Sequence, residues 1–255
     1  MAHSVELPVS VPGLRAHRHT TDALRAGIKD YYAVGRLERG RSEWWGRGKV
    51  WRSAPGSIQV KEPGDVHRDL AHDGPTTFVV VALPESDIVH LRAQGKVVAS
   101  AQLDAGDERA APFHRLLDAV CAGADRLSLE VALAEAVATF ARMGHANPEH
   151  TRPVRRALEY VRERLAESFT LDDLASYAGL DKFHLCRAFR GQIGMPPHTY
   201  LTHLRIQLAR QLLAKGVRPS ELAPRVGLYD QSQLTRHFRR IVGVTPARYR
   251  LRSRG

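Results

Sequence analysis

Arginine, glutamine and threonine are the side chains that read base-pair edges. Guanidinium forks onto guanine, carboxamide onto adenine, and the threonine methyl meets the methyl of thymine. In this sequence such residues gather late in the chain and recur in step. Leu185, Arg187, Phe189, Arg190, Gly194, Pro197 and Tyr200 reappear as Leu234, Arg236, Phe238, Arg239, Gly243, Pro246 and Tyr249, each 49 positions downstream. Identities at one shared offset in so short a window mark two copies of one structural unit. Upstream, Ala175 and Gly179 recur as Ala223 and Gly227 at an offset of 48, so one copy carries an extra residue between its glycine and its leucine. Each copy reads as a short helix, a turn at glycine and a second amphipathic helix.

A helix-turn-helix needs a small residue where its helices touch and a residue tolerant of positive φ at the turn. Ala175 and Gly179 supply these in the first copy, Ala223 and Gly227 in the second. Leu174, Ala178, Leu180, Leu185 and Phe189 form the first small core; Leu222, Val226, Leu228, Leu234 and Phe238 form the second. The outer face of the second helix is then free. It carries Lys182, Phe183, Cys186, Arg187 and Arg190 in the first copy, and Gln231, Ser232, Gln233, Thr235, Arg236 and Arg239 in the second. Some arginines would read bases, and the others would neutralise phosphates and fix register.

Charge placement agrees. The formal net charge is +11, but residues 151–255 hold 20 Lys+Arg against 8 Asp+Glu, whereas residues 1–150 hold 18 against 19. Only the second half is built to meet a polyanion. It lacks a long apolar run, which argues against a membrane as that partner. The two cysteines, Cys121 and Cys186, offer neither a disulfide framework nor zinc spacing. With no signal-peptide pattern at the start, the expectation is a reducing, cytoplasmic compartment, at the nucleoid.

The elements that must position the readers follow in order. Residues 1–30 are poorly patterned and contain His17 and His19. Strands are expected at Tyr31–Leu37, Ser42–Trp45, Lys49–Arg52, Ser57–Lys61, Val66–Leu70 and Thr76–Leu83, separated by Gly and Pro turn signals that include Arg39-Gly40 and Asp73-Gly74-Pro75. Helices are expected at Ser86–Gln94, Ala111–Ala122, Leu127–Met143, Val154–Glu167, Leu171–Ala178, Lys182–Ile193, His198–Lys215, Glu221–Val226, Gln231–Val242 and Pro246–Leu251. Thr170, Asp181, Ser220, Asp230 and Thr245 are their expected caps. Pro224 removes a backbone donor and should shorten the helix that supports the second reader. The fold class is α+β in two domains: an antiparallel β-barrel with following helices over 1–143, a linker over 144–153, and an all-α domain over 154–255 whose two helix-turn-helix units are joined by a long helix. That helix, His198–Lys215, spans roughly 27 Å at about 1.5 Å per residue. Successive major grooves on one side of a duplex repeat at about 34 Å, so the readers can enter neighbouring grooves.

Residues 153–250 resemble the AraC/XylS family of transcription regulators, whose hallmark is a double helix-turn-helix. The run VGLYDQSQLTRHFRRIVGVTPARYR (226–250) is similar to the signature of the second unit, and LASYAGLDKFHLCRAFRGQIGMPPHTYLTHLRIQLARQLL (174–213) to the first unit and its linker helix. The resemblance implies a sequence-specific regulator, an activator, with promoter DNA and RNA polymerase as partners. It places base-facing positions at Phe183, Cys186 and Arg187, and at Gln231, Ser232, Thr235 and Arg236. Lys182, Arg190, Arg239 and Arg240 remain for the phosphates. Phe183 and Cys186 are apolar where polar readers are common, so the first unit should read shape and methyl groups more than base edges.

The family often joins this module to a cupin-like barrel that senses a small molecule. Residues 56–67 (GSIQVKEPGDVH) resemble the second cupin motif through Pro63, Gly64 and His67. The first motif is poorly represented: His17 and His19 precede TTDALRAG, which offers Asp22 in place of glutamate. The reading is therefore loop histidines and a His67 at the barrel rim, with no metal, no cofactor and no catalysis. Trp45 and Trp51 are candidates to line an effector pocket, since adjacent Trp44 and Trp45 must face opposite ways, with Glu43, Arg52 and His67 as polar anchors. Leu129, Leu133, Val137 and Phe140 form one helical stripe that can pack on the barrel or against a second copy in a homodimer. The rivals are a nucleoid protein of low sequence preference and a metal-dependent cupin enzyme tethered to DNA. A Cys-based repair enzyme needs a Pro-Cys-His-Arg setting that neither cysteine has.

Overall fold

Alternation of side chains along two strands, Arg15–Thr21 and Val66–Ala82, sets the architecture of the first half. The computed structural model describes residues 3–86, 88, 101–143 and 150–252, and its chain divides into the units Met1–Pro148 and Glu149–Gly255. Apart from Ser86 and Ile88, the helix expected at Ser86–Gln94 lies outside the described residues, as does the 144–149 part of the expected linker.

The first unit is an antiparallel sheet of β1 (His3–Leu7), β2 (Arg15–Thr21), β3 (Ala26–Ile28), β4 (Ala33–Gly46), β5 (Lys49–Ser53), β6 (Ile58–Lys61), β7 (Val66–Ala82) and β8 (Gln102–Leu103). The order is β1-β2-β7-β4-β6-β8, with β3 on β7 and β5 on β4. Two helices follow, α1 (Ala111–Ala122) and α2 (Arg126–Arg142). One face of the sheet is apolar because alternate residues (Val34, Ile58, Val60, Val79, Val81) all point the same way, and it buries Phe113, Leu117 and Phe140 of the helices. Ion pairs frame this contact: Arg36 meets Asp118 at 2.6 Å and Arg18 meets Glu38 at 3.0 Å.

The structure corrects several expectations here. Tyr31–Leu37 and Ser42–Trp45 fall on the single strand β4, which begins at Ala33, and Val66–Leu70 and Thr76–Leu83 fall on the single strand β7, which ends at Ala82. Of the turn signals, Arg39-Gly40 and Asp73-Gly74-Pro75 sit instead at the irregular stretch where these two strands pair. A β-carbon on Gly40, at φ 82°, would lie 2.8 Å from the Pro75 carbonyl oxygen, so glycine is required by a close approach. Bulges need the same residue types as turns, which is why the sequence pattern did not separate them. His17 and His19 lie on β2, not in a loop. The stripe Leu129, Leu133, Val137 and Phe140, weighed as a dimer surface, is buried in the unit's own core. The large apolar residues that α2 leaves exposed are Leu127 and Val131.

The second unit is helical: α3 (Arg152–Glu163), α4 (Leu171–Ala178), α5 (Lys182–Ile193), α6 (Pro197–Ala214), α7 (Leu222–Arg225), α8 (Gln231–Val242) and α9 (Pro246–Arg252). The sequence repeat is a structural repeat. Phe189 meets Tyr200 edge-on at 5.6 Å and 70°, and Phe238 meets Tyr249 at 5.5 Å and 71°. Gly194 and Gly243 end the two reading helices at φ 89° and 88°. Asp181 accepts hydrogen bonds from the backbone of Phe183 and His184, and Asp230 from that of Gln233. Thr170 and Asp173 form a capping box at the start of α4. Ser220 makes no cap; Pro219–Glu221 is a single tight turn. Beyond it, α7 is only four residues long against eight in α4. Pro224 lies inside this short element.

His203 of α6 is 7% exposed, and burial pushes its pKa down to about 4, with Arg240 adding to the effect. The unfolded chain binds this proton near pH 6.5 while the folded protein does so only near 4, so stability is full above 6.5 and falls progressively as pH drops through 4. Denaturant titrations should show about 3 kcal/mol lost over that window. His203→Leu should flatten this part of the profile.

Candidate nucleic-acid interface

Each reading helix buries one side and offers the other. Leu185 and Phe189 of α5, and Leu234 and Phe238 of α8, are fully buried. One turn away on the opposite face, Arg187, Arg190, Arg236 and Arg239 are exposed, and none makes a hydrogen bond or salt bridge to a described residue. Gln231, Ser232, Thr235, Arg236, Arg239 and Arg240 line one concave surface on α8. Cations left in water beside a concavity are what a phosphate backbone requires.

The remaining predicted contacts are placed less uniformly. Phe183 is 73% exposed, and Cys186 is half-buried beside it. Lys182 pairs with Asp172 at 3.2 Å, so a phosphate must compete for it. Arg240 bonds the His237 ring at 3.2 Å and keeps the rest of its fork available. Gln233, counted on the outer face, turns back: its side-chain oxygen accepts the Tyr229 backbone N–H at 2.9 Å, so it supports the helix start. Sequence reasoning missed Tyr229 itself, which is 94% exposed at the second turn. It is the extra residue behind the change of offset from 49 to 48, and that surplus was its only signal.

Within the helical unit, a clamp sets the relation between the two helix-turn-helices. Arg205 of α6 donates from Nε to the Leu165 carbonyl at 2.9 Å and from Nη2 to the Glu167 carbonyl at 2.6 Å. Burial lowers the pKa of this half-buried guanidinium. Gly227, at φ 75° in the second turn, abuts the same segment: a β-carbon there would lie 2.7 Å from the Ala166 carbonyl oxygen. The entry to the first helix-turn-helix, the linker helix and the turn of the second therefore meet at one point.

In the first unit the predicted effector residues are not gathered. Glu43 and Arg52 pair at 3.4 Å and line a shallow depression of 550 Å³ with Ser53 and His72. Trp45, Trp51 and His67 are not part of that lining. Trp45 is buried at 9% exposure. Trp51 donates its indole N–H to the Gly46 carbonyl and stacks on Trp44 at 6.2 Å, so it closes the β4–β5 hairpin. His67 lies on β7 opposite Gly27 and Gly46. A register shift between Glu43 and Trp44 breaks the simple alternation, and both adjacent tryptophans are buried. Trp44, passed over in the sequence, is the one under Lys61, whose Nζ lies 4.9 Å from its ring centroid. Among the described residues no group of three or more His, Cys, Asp and Glu is placed to hold a metal ion. Burial, and then Glu38, raise the Cys121 thiol pKa, which is the wrong direction for a nucleophile. Among the described residues no helix is long and apolar enough to cross a membrane.

A sheet domain followed by a double helix-turn-helix with matched cationic faces defines a DNA-binding regulator. Residues 7–168 match the family model for an AraC-binding-like domain, more than half of the chain, and residues 174–252 match that for a helix-turn-helix domain. The chain belongs to the AraC family of transcription regulators. It is 29% identical over 219 residues to the uncharacterized HTH-type transcriptional regulator YbfI of Bacillus subtilis (strain 168), covering 80% of this chain and 79% of the relative. It is 30% identical over 99 residues to the HTH-type transcriptional activator AarP of Providencia stuartii, covering 38% of this chain and 73% of that one. Among solved structures it is similar to unsaturated fatty acid-bound ToxT from Vibrio cholerae strain SCE256, at 10% identity and a TM-score of 0.48 over 96% of this chain and 97% of that one.

Because Arg205 and Gly227 hold the two readers together, Arg205→Ala should weaken target binding and loosen its geometry. In gel shifts, one base pair inserted between the half-sites should cost the natural protein about tenfold or more, and the variant less than about threefold. Gly227→Ala meets backbone at a positive φ and should cost about 1–3 kcal/mol of stability. Gly179→Ala, with nothing within 4 Å of the new β-carbon, should cost about 1 kcal/mol, which chemical denaturation will resolve.

Proposed function

We propose that this regulator reads a specific promoter sequence with α5 and α8 in successive major grooves, and that a small molecule bound by its first unit controls it. The observation that carries the reading is the pair of matched faces whose arginines are exposed and unpaired, with polar readers interleaved on one of them. Arg187, with Phe183 and Cys186, contacts bases in the first half-site; Gln231, Ser232, Thr235 and Arg236 do so in the second. Lys182, Arg190, Arg239 and Arg240 hold phosphates. Gln231, Ser232 and Thr235 favour sequence reading over a nucleoid role, because phosphate binding alone needs no carboxamide or hydroxyl. The relatives are transcription regulators, which supports a non-enzymatic role, and one is an activator, which supports activation through RNA polymerase. Such a protein works in the cytoplasm, at the nucleoid.

A homodimer belongs to the same reading. Leu127 and Val131, one turn apart on α2, are the apolar residues available to a second copy. Sedimentation velocity should show a dimer that Val131→Glu dissociates, and a natural protein that stays monomeric at all concentrations removes the dimer from the scheme.

Gel shifts on promoter fragments, with random competitor at raised salt, test the DNA reading. Arg187→Ala and Arg236→Ala should each cost about 1–3 kcal/mol on the target, or roughly 5- to 150-fold, with much less effect on random DNA. Arg239→Ala should weaken both about equally and lower the slope of log K against log salt by about 1. A natural protein that binds every sequence with equal affinity would refute the proposal.

A further inference from the structure

The two reading helices begin differently. Leu180 and Leu228 hold the same place after the turn glycine: the backbone N–H of each donates to the carbonyl of the small alanine before the turn, Ala175 at 3.0 Å and Ala223 at 2.9 Å. Asp181 and Asp230 hold the same place as caps of α5 and α8. Between leucine and aspartate the first copy has no residue, and the second has Tyr229. The frame absorbs this insertion, since α8 keeps the 12-residue length of α5 and buries Leu234 and Phe238 as α5 buries Leu185 and Phe189. The extra residue therefore alters neither helix nor core. It alters what stands at the start of the second reader.

The backbone of Tyr229 is held while its side chain is not. Gln233 Oε1 accepts the Tyr229 N–H at 2.9 Å, and the Gln233 N–H donates to Asp230 Oδ1 at 2.6 Å, so the inserted residue is tied to the first turn of α8 from both directions. In α5 the counterpart of Gln233 is His184, whose ring lies beside its cap Asp181 at 3.9 Å and holds no backbone ahead of it. The Tyr229 side chain is 94% exposed and makes no hydrogen bond, ring contact or cation contact with any described residue. One exposed aromatic ring carries little by itself. A ring anchored at its root and unengaged at its tip, however, gives up little backbone freedom when a partner arrives. The neighbouring groups define that partner. Gln231 and Ser232 follow directly, and they open the concave surface that continues to Arg236, Arg239 and Arg240. The adjacent acid, Asp230, is engaged in the cap. This surroundings suits a polyanion.

We propose that Tyr229 is itself a DNA contact: its hydroxyl donates to a non-bridging phosphate oxygen bordering the second half-site, and its ring lies along the adjoining deoxyribose. The inference rests on the reading of α8 in a major groove and adds a residue to it. That groove is about 12 Å wide, and a recognition helix meets the bases with its N-terminal residues. With Gln231 and Ser232 over the base edges, a residue just ahead of the cap stands at the groove wall, where the sugar–phosphate chain runs. A phenol suits that place, because a neutral donor fixes register on the backbone without displacing a counterion. The first unit has no counterpart; there Lys182 follows the cap directly and pairs with Asp172 at 3.2 Å. The added contact thus belongs to the reader whose supporting helix is only four residues long.

The test uses the full chain and a duplex that it enriches from a random-sequence pool. Tyr229→Phe should weaken binding to that duplex about tenfold, the loss of one hydrogen bond to a charged acceptor. The slope of log K against log salt should stay as it is, in contrast to the loss of an arginine. Thermal unfolding of Tyr229→Phe and Tyr229→Ala should match that of the natural protein, because nothing in the fold touches the side chain. Methylphosphonate linkages, placed one at a time along the duplex, should abolish the difference between the natural protein and Tyr229→Phe at the contacted phosphate beside the second half-site, and preserve it elsewhere. A Tyr229→Phe protein that binds as tightly as the natural one overturns the contact. If its transcription in vitro falls nevertheless, the side chain meets the polymerase instead. A loss that follows the identity of a base and no single phosphate also overturns the proposal. These results leave the promoter reading standing. Enrichment of no sequence removes that reading, and this contact with it, before any variant is made.

Discussion

Positive charge held without a counter-charge is the constraint on which this structure turns. Folded proteins usually pair their cations or leave them scattered in water, because a clustered, uncompensated charge repels itself. This chain keeps such a set on the outer faces of α5 and α8, where Arg187, Arg190, Arg236 and Arg239 are exposed and make no bond to a described residue. Exposure lets these groups remain charged in solvent, a standing electrostatic surface for a polyanion. In the sheet domain His17, His19 and Lys61 are half-buried, and burial lowers the pKa of each.

The two helix-turn-helix units share a backbone frame and differ in what they present. The frame is strict: equal glycine conformations at the helix ends, equal aromatic pairs behind them and aspartate caps in front. Within it the first unit shows an exposed phenyl ring and a half-buried thiol, and the second shows amide, hydroxyl and guanidinium groups. Hydrogen-bonding groups are therefore concentrated on the second of these units, while the first presents mainly apolar ones. The support is reversed. The fully supported reader α5 follows an eight-residue helix, and the chemically richer α8 follows a four-residue helix with a proline inside it. The Arg205 contacts and the close seat of Gly227 offset that weakness by fixing the second turn to the body of the first unit.

What could be read in the sequence was what is local. The ends of α5 and α8 follow from Asp181, Asp230, Gly194 and Gly243, each acting within one turn of its own position, and those helices lie where the pattern puts them. What could not be read needed a second strand or a neighbour. Gly40 and Gly74 look like turn residues and lie instead at the irregular stretch of a long ladder. The register shift at Trp44 defeats the rule that adjacent side chains face opposite ways. The stripe on α2 announces an apolar face, but periodicity does not say whether the cover is the chain's own sheet or a second copy. Gln233 has the right position for a reader and the wrong direction, because a backbone N–H four residues earlier captures its oxygen.

The strand β2 shows why some of this was illegible. A strand is recognised by apolar residues recurring at every second position, which requires that one of its faces be buried against other apolar groups. Along Arg15–Thr21 the face toward the helices carries Ala16 and Arg18, and the other carries His17 and His19. Neither face gives a hydrophobic signal, since one is tied down by the Arg18–Glu38 ion pair and the other carries two half-buried imidazoles. Ordinary sheet packing would have placed valines at these inward positions, as β7 does at Val79 and Val81 on the opposite face. Imidazoles there cost desolvation that packing alone does not return, and neighbouring pairs such as Val80 and Phe78 are left half-buried beside them. The strand is held in place instead by its ladders to β1 and β7, which need no hydrophobic alternation of its own.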